Sequence, residues 1–418
     1  MSCACAHVPD GPTEGIFSVD ASALTFGRGA IRELGGLVPS SGRIALFTDP
    51  RVVLTPFFDD ARRALRGRDV AVYAECAVEP TDASFVRAAS FAADGRFDAY
   101  VSVGGGSVID TCKAAVLLAT WPAPLSDYLN RPVGAGRLVP GPLPPHVACP
   151  TTAGTGSELT GIAVCDVEAL RAKSGIASRR LRPTFAVIDP DATATLPAPV
   201  VAATGFDVLC HAIESYTARP FDSRAPAGSA ADRPMSQGRN PWSDLGSREA
   251  LRIGATWLRR AVSDAADREA REHLMWAATL AGLAFGNAGV HLPHAMAYAV
   301  AGLAPRFVPH GVSVVASAPS AFRFTGSSSP ARHLEAASWL GAEVRGATHE
   351  DAGELLARAL ERLMVETQVP VGLPSYGFGP EDEARLVGGT AIQRRLLDNA
   401  PCPIHEPDLH RVFRAALA

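Results

Sequence analysis

DAYVSVGGGSVIDTCKAAVLLA, residues 98–119, runs an apolar strand pattern straight into three glycines and then into a helical pattern. The position of the glycines matters more than their letters. Gly104, Gly105 and Gly106 let the backbone turn sharply and approach a ligand without interference from a Cβ, and the free N–H groups that open the following helix favour an anion such as a pyrophosphate. Ser107 and Asp110 stand at the spacing of a capping box, so they either start that helix or face the cofactor. GGGS lacks the G-x-G-x-x-G spacing of the common dinucleotide fingerprint, so the turn needs further support.

Outward from this turn the alternation continues. Between Arg43 and about Pro190, IALFTD, VAVYAEC, DAYVSV, HVACPTT and FAVID read as strands, separated by helical stretches such as PFFDDARRALRG and DASFVRAASFAADG that end in Gly. Strands alternating with helices imply an α/β nucleotide-binding domain around a parallel sheet. From Val200 the strand signals nearly vanish. GFDVLCHAIESYTA, SDLGSREALRIGATWLRRAV and EAREHLMWAATLAGLAF all read as helices, which gives an all-α C-terminal domain. The boundary falls at LPAPV, giving domains of residues 1–198 and 199–418. Between Pro220 and Pro241 a Pro-, Gly-, Ser- and Ala-rich stretch reads as a mobile insertion or a loop over the active site.

A second segment, ACPTTAGTGSELTG, follows an apolar strand and supplies Thr151, Thr152, Thr155 and Ser157 among small residues, suited to hydrogen bonds with ribose or phosphate or to a plain polar turn. Asp49 closes the first strand of the series. A carboxylate there accepts hydrogen bonds from ribose hydroxyls and repels a 2′-phosphate, so NAD is expected over NADP.

The helical half holds the metal chemistry. Asp207 and His211 are four residues apart, on one face of a helix; His291, His294 and His310 follow. One oxygen ligand with several imidazoles suits a borderline cation such as Fe(II) or Zn(II), whereas Mg or Ca would want mostly oxygen. Five candidate ligands are therefore open on spacing alone.

Taken in order, GGGSVIDTCKA, PTTAGTGSE, GFDVLCHAIESY and PHGVSVV resemble the cofactor and metal segments of the iron-containing alcohol dehydrogenases, across nearly the whole chain. The resemblance implies a dehydroquinate synthase-like fold with an N-terminal nucleotide-binding domain and a helical metal-binding domain. It also implies Asp207, His211, His294 and His310 as the ligands, His291 as a neighbour, and Lys173 near the nicotinamide ribose. VEPTDASF, GRFDAYVSVGGGS, RPMSQGRNPWSD and AFGNAGVHLPHAMAYAVAGL are similar to the hydroxyacid-oxoacid transhydrogenase branch. Many family members carry a further His four residues after the third ligand. Here that place is Tyr298, a candidate catalytic residue that alters the proton route. The gap from His294 to His310 is also slightly longer than in the simplest members.

The expected activity is hydride transfer between NAD and a small, acidic hydroxy or oxo substrate, with transhydrogenation as its specific form. One alternative is a one-way reductase of an aldehyde bearing a phosphonate or carboxylate; another is a non-redox nucleotide- or metal-binding protein on the same fold. Arg233 and Arg239 are candidate carboxylate contacts or solvated surface residues.

Composition agrees with this class. The 418 residues are long enough for two domains of about 150 to 250 residues. With 47% apolar and 20% charged residues and a net charge of −4, nothing points to nucleic acid or an anionic membrane. Most of the eight cysteines sit in apolar runs and read as buried free thiols of a reducing compartment, with cytoplasm as the default. Cys3, Cys5 and His7 form at most a small metal-binding tail. A homodimer is the expected assembly.

Overall fold

Side chains of opposite parity along a strand face opposite layers, and the first long strand shows how this chain uses that rule. Ile44 and Leu46 pack on one side with Ile31, Phe57, Phe58 and Ala61. Ala45 and Phe47 pack on the other with Ala88, Ala92, Cys112 and Ala115. A sheet buried on both faces must carry apolar residues at nearly every position, as RIALF and AYVSVG do. The computed structural model describes residues 11–170, 172–230 and 232–418, and divides the chain into two compact units.

The unit Asp20–Leu196 contains strands β1 (Ala23–Phe26), β2 (Arg43–Phe47), β3 (Asp69–Tyr73), β4 (Ala99–Gly104), β5 (His146–Pro150), β6 (Ile162–Val167), β7 (Ala172–Ala177) and β8 (Phe185–Ile188). Its helices are α1 (Leu34–Leu37), α2 (Pro56–Ala64), α3 (Asp82–Gly95), α4 (Gly106–Thr120) and α5 (Leu125–Tyr128). Six strands form one parallel sheet in the order β1-β8-β5-β4-β2-β3. The chain steps from β2 outward to β3 and then back to β4 on the other side of β2, so the strand order reverses between β2 and β4. In open parallel sheets a ligand crevice forms beyond the strand ends at such a reversal. Asp49 follows β2 and the glycines follow β4; since Phe47 lies opposite Ser102, both reach the same end of the sheet. The antiparallel pair β6–β7 stands apart from the main sheet.

The other unit consists of residues 197–418 together with residues 11–19. Its helices are α6 (Ala198–Thr217), α7 (Pro241–Ser263), α8 (Arg268–Ala288), α9 (Leu292–Leu303), α10 (His310–Val315), α11 (Ala318–Thr325), α12 (Pro330–Trp339), α13 (Ala352–Glu366), α14 (Glu383–Ala391), α15 (Arg394–Leu397) and α16 (Glu406–Leu417). From Gly205 to Thr217 every residue of α6 is buried, as a helix surrounded on all sides requires. The 220–241 stretch is fastened at both ends: Phe221 N–H donates to Arg239, Arg239 N–H to Arg219, and Gln237 and Gly238 to the end of α8. Asn240 then caps α7. The N-terminal residues join this unit through Ser18, whose N–H donates to Gln237 Oε1 and whose carbonyl accepts from Gln237 Nε2 (both 2.8 Å).

Candidate functional site

The glycine turn is tight because the protein itself fills the space a side chain would need. A Cβ on Gly104 would stand 2.4 Å from Val108, and one on Gly106 would stand 2.6 Å from Thr155 Oγ1. Only Gly105, 3.5 Å from Thr152, has room outside. None of the three adopts a left-handed conformation, so close packing rather than turn geometry requires Gly104 and Gly106. Gly105 is the N-cap of α4, whose first amides have no partner within the helix.

Ser107 and Asp110 do not form the expected capping box. The helix begins at Gly106, so Ser107 already lies inside it, and Ser107 Oγ accepts the Glu79 N–H (3.3 Å). Asp110 turns inward, where it accepts Val164 N–H (3.0 Å), Lys113 Nζ (3.2 Å) and the Ser157 hydroxyl. Ser157 is likewise buried and accepts from Lys113 Nζ (2.7 Å). Thr152 and Thr155 keep partial exposure beside the turn, while Thr151 is buried and its N–H bonds Gly104. Asp49 is nearly buried, and its Oδ1 accepts the N–H groups of Arg51 and Val52. Lys173, on β7, pairs with Glu79 and, at 2.9 Å, with Asp166.

Four of the five candidate ligands converge in the helical unit. Asp207 Oδ1 lies 3.7 Å from His211 Nε2, 3.5 Å from His294 Nε2 and 3.8 Å from His310 Nε2. These gaps are too long for hydrogen bonds, yet close to the ligand–ligand edge of about 3.4 Å that bonds near 2.1 Å give around a tetrahedral cation. Asp207 Oδ1 and His294 Nε2 are buried without a hydrogen-bond partner, which is costly unless something else takes their lone pairs. Asp207, His211 and His294 form a compact buried donor group; His310, at the start of α10, is partly exposed. This donor set fits a borderline divalent ion.

Packing and charge hold the rings. His211 stacks on Phe285 with centroids 3.9 Å apart. Burial opposes ionisation of Asp207, but His211, His310 and His294 outweigh it and keep the carboxyl well below its usual range. Burial alone would lower His294; Glu214 and Asp207 instead raise it to about 9, so a cation taken up at Nε2 displaces a proton from that atom. His211 is pushed down to about 4, chiefly by burial. His291 lies outside the group: its Nε2 meets Thr217 Oγ1 at 3.0 Å. Tyr298, one turn after His294, is nearly buried, with its ring 6.4 Å from that of His310.

Sequence reading missed Glu214. Fully buried on α6, it accepts from His294 Nδ1 (2.5 Å) and from the His291 backbone N–H (2.6 Å). It also missed Lys113, whose ammonium is wholly enclosed among Asp110, Ser157 and the Ile162 carbonyl. Arg233 donates to Ser18 Oγ (2.6 Å) and lies 3.8 Å from Glu14, so its charge is engaged; Arg239 is half-buried. The six described cysteines are buried thiols outside any disulfide; Cys3, Cys5 and His7 lie outside the described residues. Among the described residues no helix is long and apolar enough to cross a membrane.

Comparison with known proteins agrees with this chemistry. The family model "Iron-containing alcohol dehydrogenase" matches residues 21–190, and the C-terminal model of the Fe-containing alcohol dehydrogenase family matches residues 232–417. The chain is 44% identical to the mitochondrial hydroxyacid-oxoacid transhydrogenase of Bos taurus, over 97% of this chain and 91% of that protein. Among solved structures, 1,3-propanediol oxidoreductase superposes with a TM-score of 0.84 at 29% identity, covering 96% of this chain and all of the other. Sulfoacetaldehyde reductase from Bifidobacterium kashiwanohense, solved with NAD+, gives 0.77 at 25% identity, over 96% of this chain and 99% of that one. Two matching family models, a near-full-length relative and a buried Asp–His donor group lead to one conclusion: the chain belongs to the iron-containing alcohol dehydrogenase family and is an iron-dependent, NAD-linked oxidoreductase.

Proposed function

We propose that the protein is a hydroxyacid-oxoacid transhydrogenase, in which Asp207, His211, His294 and His310 hold the cation. The convergence of three imidazole Nε2 atoms on one carboxylate oxygen carries the metal-dependent reading. The 44% identity to a transhydrogenase over nearly the whole chain supports the specific reaction. When bound, the cation supplies Lewis acidity and the nicotinamide supplies two-electron redox capacity.

The chain's own residues do the rest. Glu214 fixes the His294 ring by accepting from Nδ1, which leaves Nε2 free to act as a donor. Gly105, with Thr152 and Thr155 beside it, leaves backbone open to a pyrophosphate. Gly104, Gly106, Thr151, Ser157 and Asp110 shape that turn from behind. Asp49 offers its second carboxylate oxygen to a ribose, since Oδ1 is held by Arg51 and Val52. Lys173, neutralised by Glu79 and Asp166, orients the nicotinamide ribose as a hydrogen-bond donor. Tyr298 passes the proton in place of the imidazole many relatives have there. A homodimer belongs to the same reading, supported by exposed Trp242 and Leu245 at the start of α7. The cytoplasmic placement rests on composition and buried thiols alone.

The test is the co-substrate dependence. Oxidation of 4-hydroxybutyrate should quicken several-fold when 2-oxoglutarate is added without free NAD, followed by product formation. A rate that tracks free NAD and ignores every oxoacid would reject transhydrogenation in favour of a simple dehydrogenase or a one-way aldehyde reductase.

A further inference from the structure

A second concentration of charge lies in the helical unit beyond the end of α6. Thr217, the last residue of that helix, is ten positions from Asp207 and so about 15 Å along the axis from it. Beyond it a cavity of about 320 Å³ is lined by Glu14, Arg219, Arg224, Asp232, Arg233 and Asp398 together with an apolar wall. None of the four converging metal ligands lines it.

The charges do not balance one another evenly. Glu14 lies beside Arg233 (3.8 Å), Asp398 is held by Arg394 (2.6 Å), and Asp232 is exposed and bonds the Ser229 hydroxyl (2.7 Å). Among the described residues Arg219 donates to neutral oxygens, the Ser223 carbonyl (2.6 Å) and hydroxyl (3.3 Å) and the Asp398 carbonyl (3.2 Å). Arg224 donates to Asn399 Oδ1 (2.5 Å), and its Nε is buried with no partner. Among the described residues no carboxylate oxygen comes within 4 Å of either guanidinium. Burial, and then the positive charge of Arg219, push Arg224 down to about 10. Asp398 attracts both guanidiniums from a distance, but it is shared with Arg394. Two crowded, half-buried guanidiniums with only that shared carboxylate near them are under-compensated, and an anion between them would relieve both the repulsion and the orphaned Nε.

We propose that this cavity is a binding site for a short-chain carboxylate, held by Arg219 and Arg224 and separate from the metal cluster. Planar guanidinium forks match carboxylate and phosphate alike. The wall decides between them: Ile16, Phe221, Ala225, Ala227 and Pro234 present hydrocarbon to the cavity, which suits a carbon chain and gives inorganic phosphate nothing to touch. The site does not depend on which hydroxyacid the metal centre oxidises.

Succinate is the probe, because it has neither a hydroxyl nor an oxo group to react. Calorimetric titration of the full-length protein carrying iron and NAD, at low ionic strength, should show saturable binding. Arg224→Gln and Arg219→Gln should each weaken it about tenfold or more, the loss of one charge-assisted contact. Ala225→Glu adds a carboxylate at an exposed wall position while removing no side-chain hydrogen bond, and should weaken it similarly in a protein that folds normally. His211→Ala should leave succinate affinity unchanged. The proposal is overturned if no saturable binding appears, if inorganic phosphate binds more tightly than succinate, or if binding survives Ala225→Glu but is lost in His211→Ala.

Discussion

Glu214 gives no atom to the metal cluster, yet it decides how one ligand presents itself. Its carboxylate is fully buried and held ionised; burial opposes this, but the His294 and His291 contacts outweigh the penalty. Changing Glu214 to Gln keeps the shape but removes the charge that fixes the His294 tautomer. We expect iron affinity to fall by about 10- to 100-fold, read by competition with a chelator, while circular dichroism stays unchanged. Wild-type iron retention in Glu214→Gln would show that the ring is held by packing alone. The signal was present in GFDVLCHAIESY, where Asp207, His211 and Glu214 fall at i, i+4 and i+7 on one helix face. Glu214 is less legible than the Asp–His pair because a helical Glu usually faces water, and nothing in the local sequence says that α6 is enclosed on every side.

At the scale of elements, the strand-to-helix turn was legible and its internal logic was not. Periodicity located β4 and α4, but which glycine faces outward depends on Val108 from the helix and Thr155 from a different loop. Gly104→Ala would drive a Cβ into Val108, and overpacking of this kind costs about 1–3 kcal/mol. Gly105→Ala meets only Thr152 at ordinary contact distance. Melting should therefore separate the two: a lowered Tm for Gly104→Ala, and a near-normal Tm with weakened NAD binding for Gly105→Ala. Equal NAD affinity in Gly105→Ala and wild type would remove Gly105 from the cofactor surface. The strands β1, β6 and β7 escaped sequence reading for different reasons. β1 is four residues long and Gly27 follows it at once, whereas β6 alternates buried and half-buried positions and carries Asp166, which masks its apolar period. A short connector between β6 and β7 was the available hairpin signal.

For the molecule as a whole, two buried groups set opposite slopes of stability against pH. His146 is pushed down to about 3 by burial and then by Lys113, so it stays neutral in the fold; its contribution is lost as pH falls from 6.5 toward 3. Glu158 is pushed up to about 7 by burial. Its contribution is present below pH 4.5 and is lost as pH rises through 7, on the order of 3 kcal/mol in all. Above pH 6.5 only the Glu158 slope remains of the two. Glu158→Gln should accordingly flatten a fall in Tm between pH 6 and pH 8, measured calorimetrically at equal metal loading. An unchanged slope would mean that Glu158 is solvated or ionised in the native protein. The sequence marked neither residue, because each owes its shift to burial, which is set by elements distant along the chain.

The N-terminal residues that bond to Gln237 have a consequence for synthesis. The helical unit is discontinuous, with residues 11–19 translated first and its remainder only after Leu196, so the α/β unit is inserted into it like a parenthesis. Since domains tend to fold as they emerge, the sheet can assemble while the opening segment waits unpaired for its partner. Its closure on Gln237 must then bridge 219 positions of chain. Because loop entropy grows only logarithmically, that bridge becomes inexpensive once the inserted unit has folded and brought its own ends to a fixed separation. The nucleotide-binding unit would thus serve as a scaffold for completing the metal-binding one, an order of events that follows from chain connectivity.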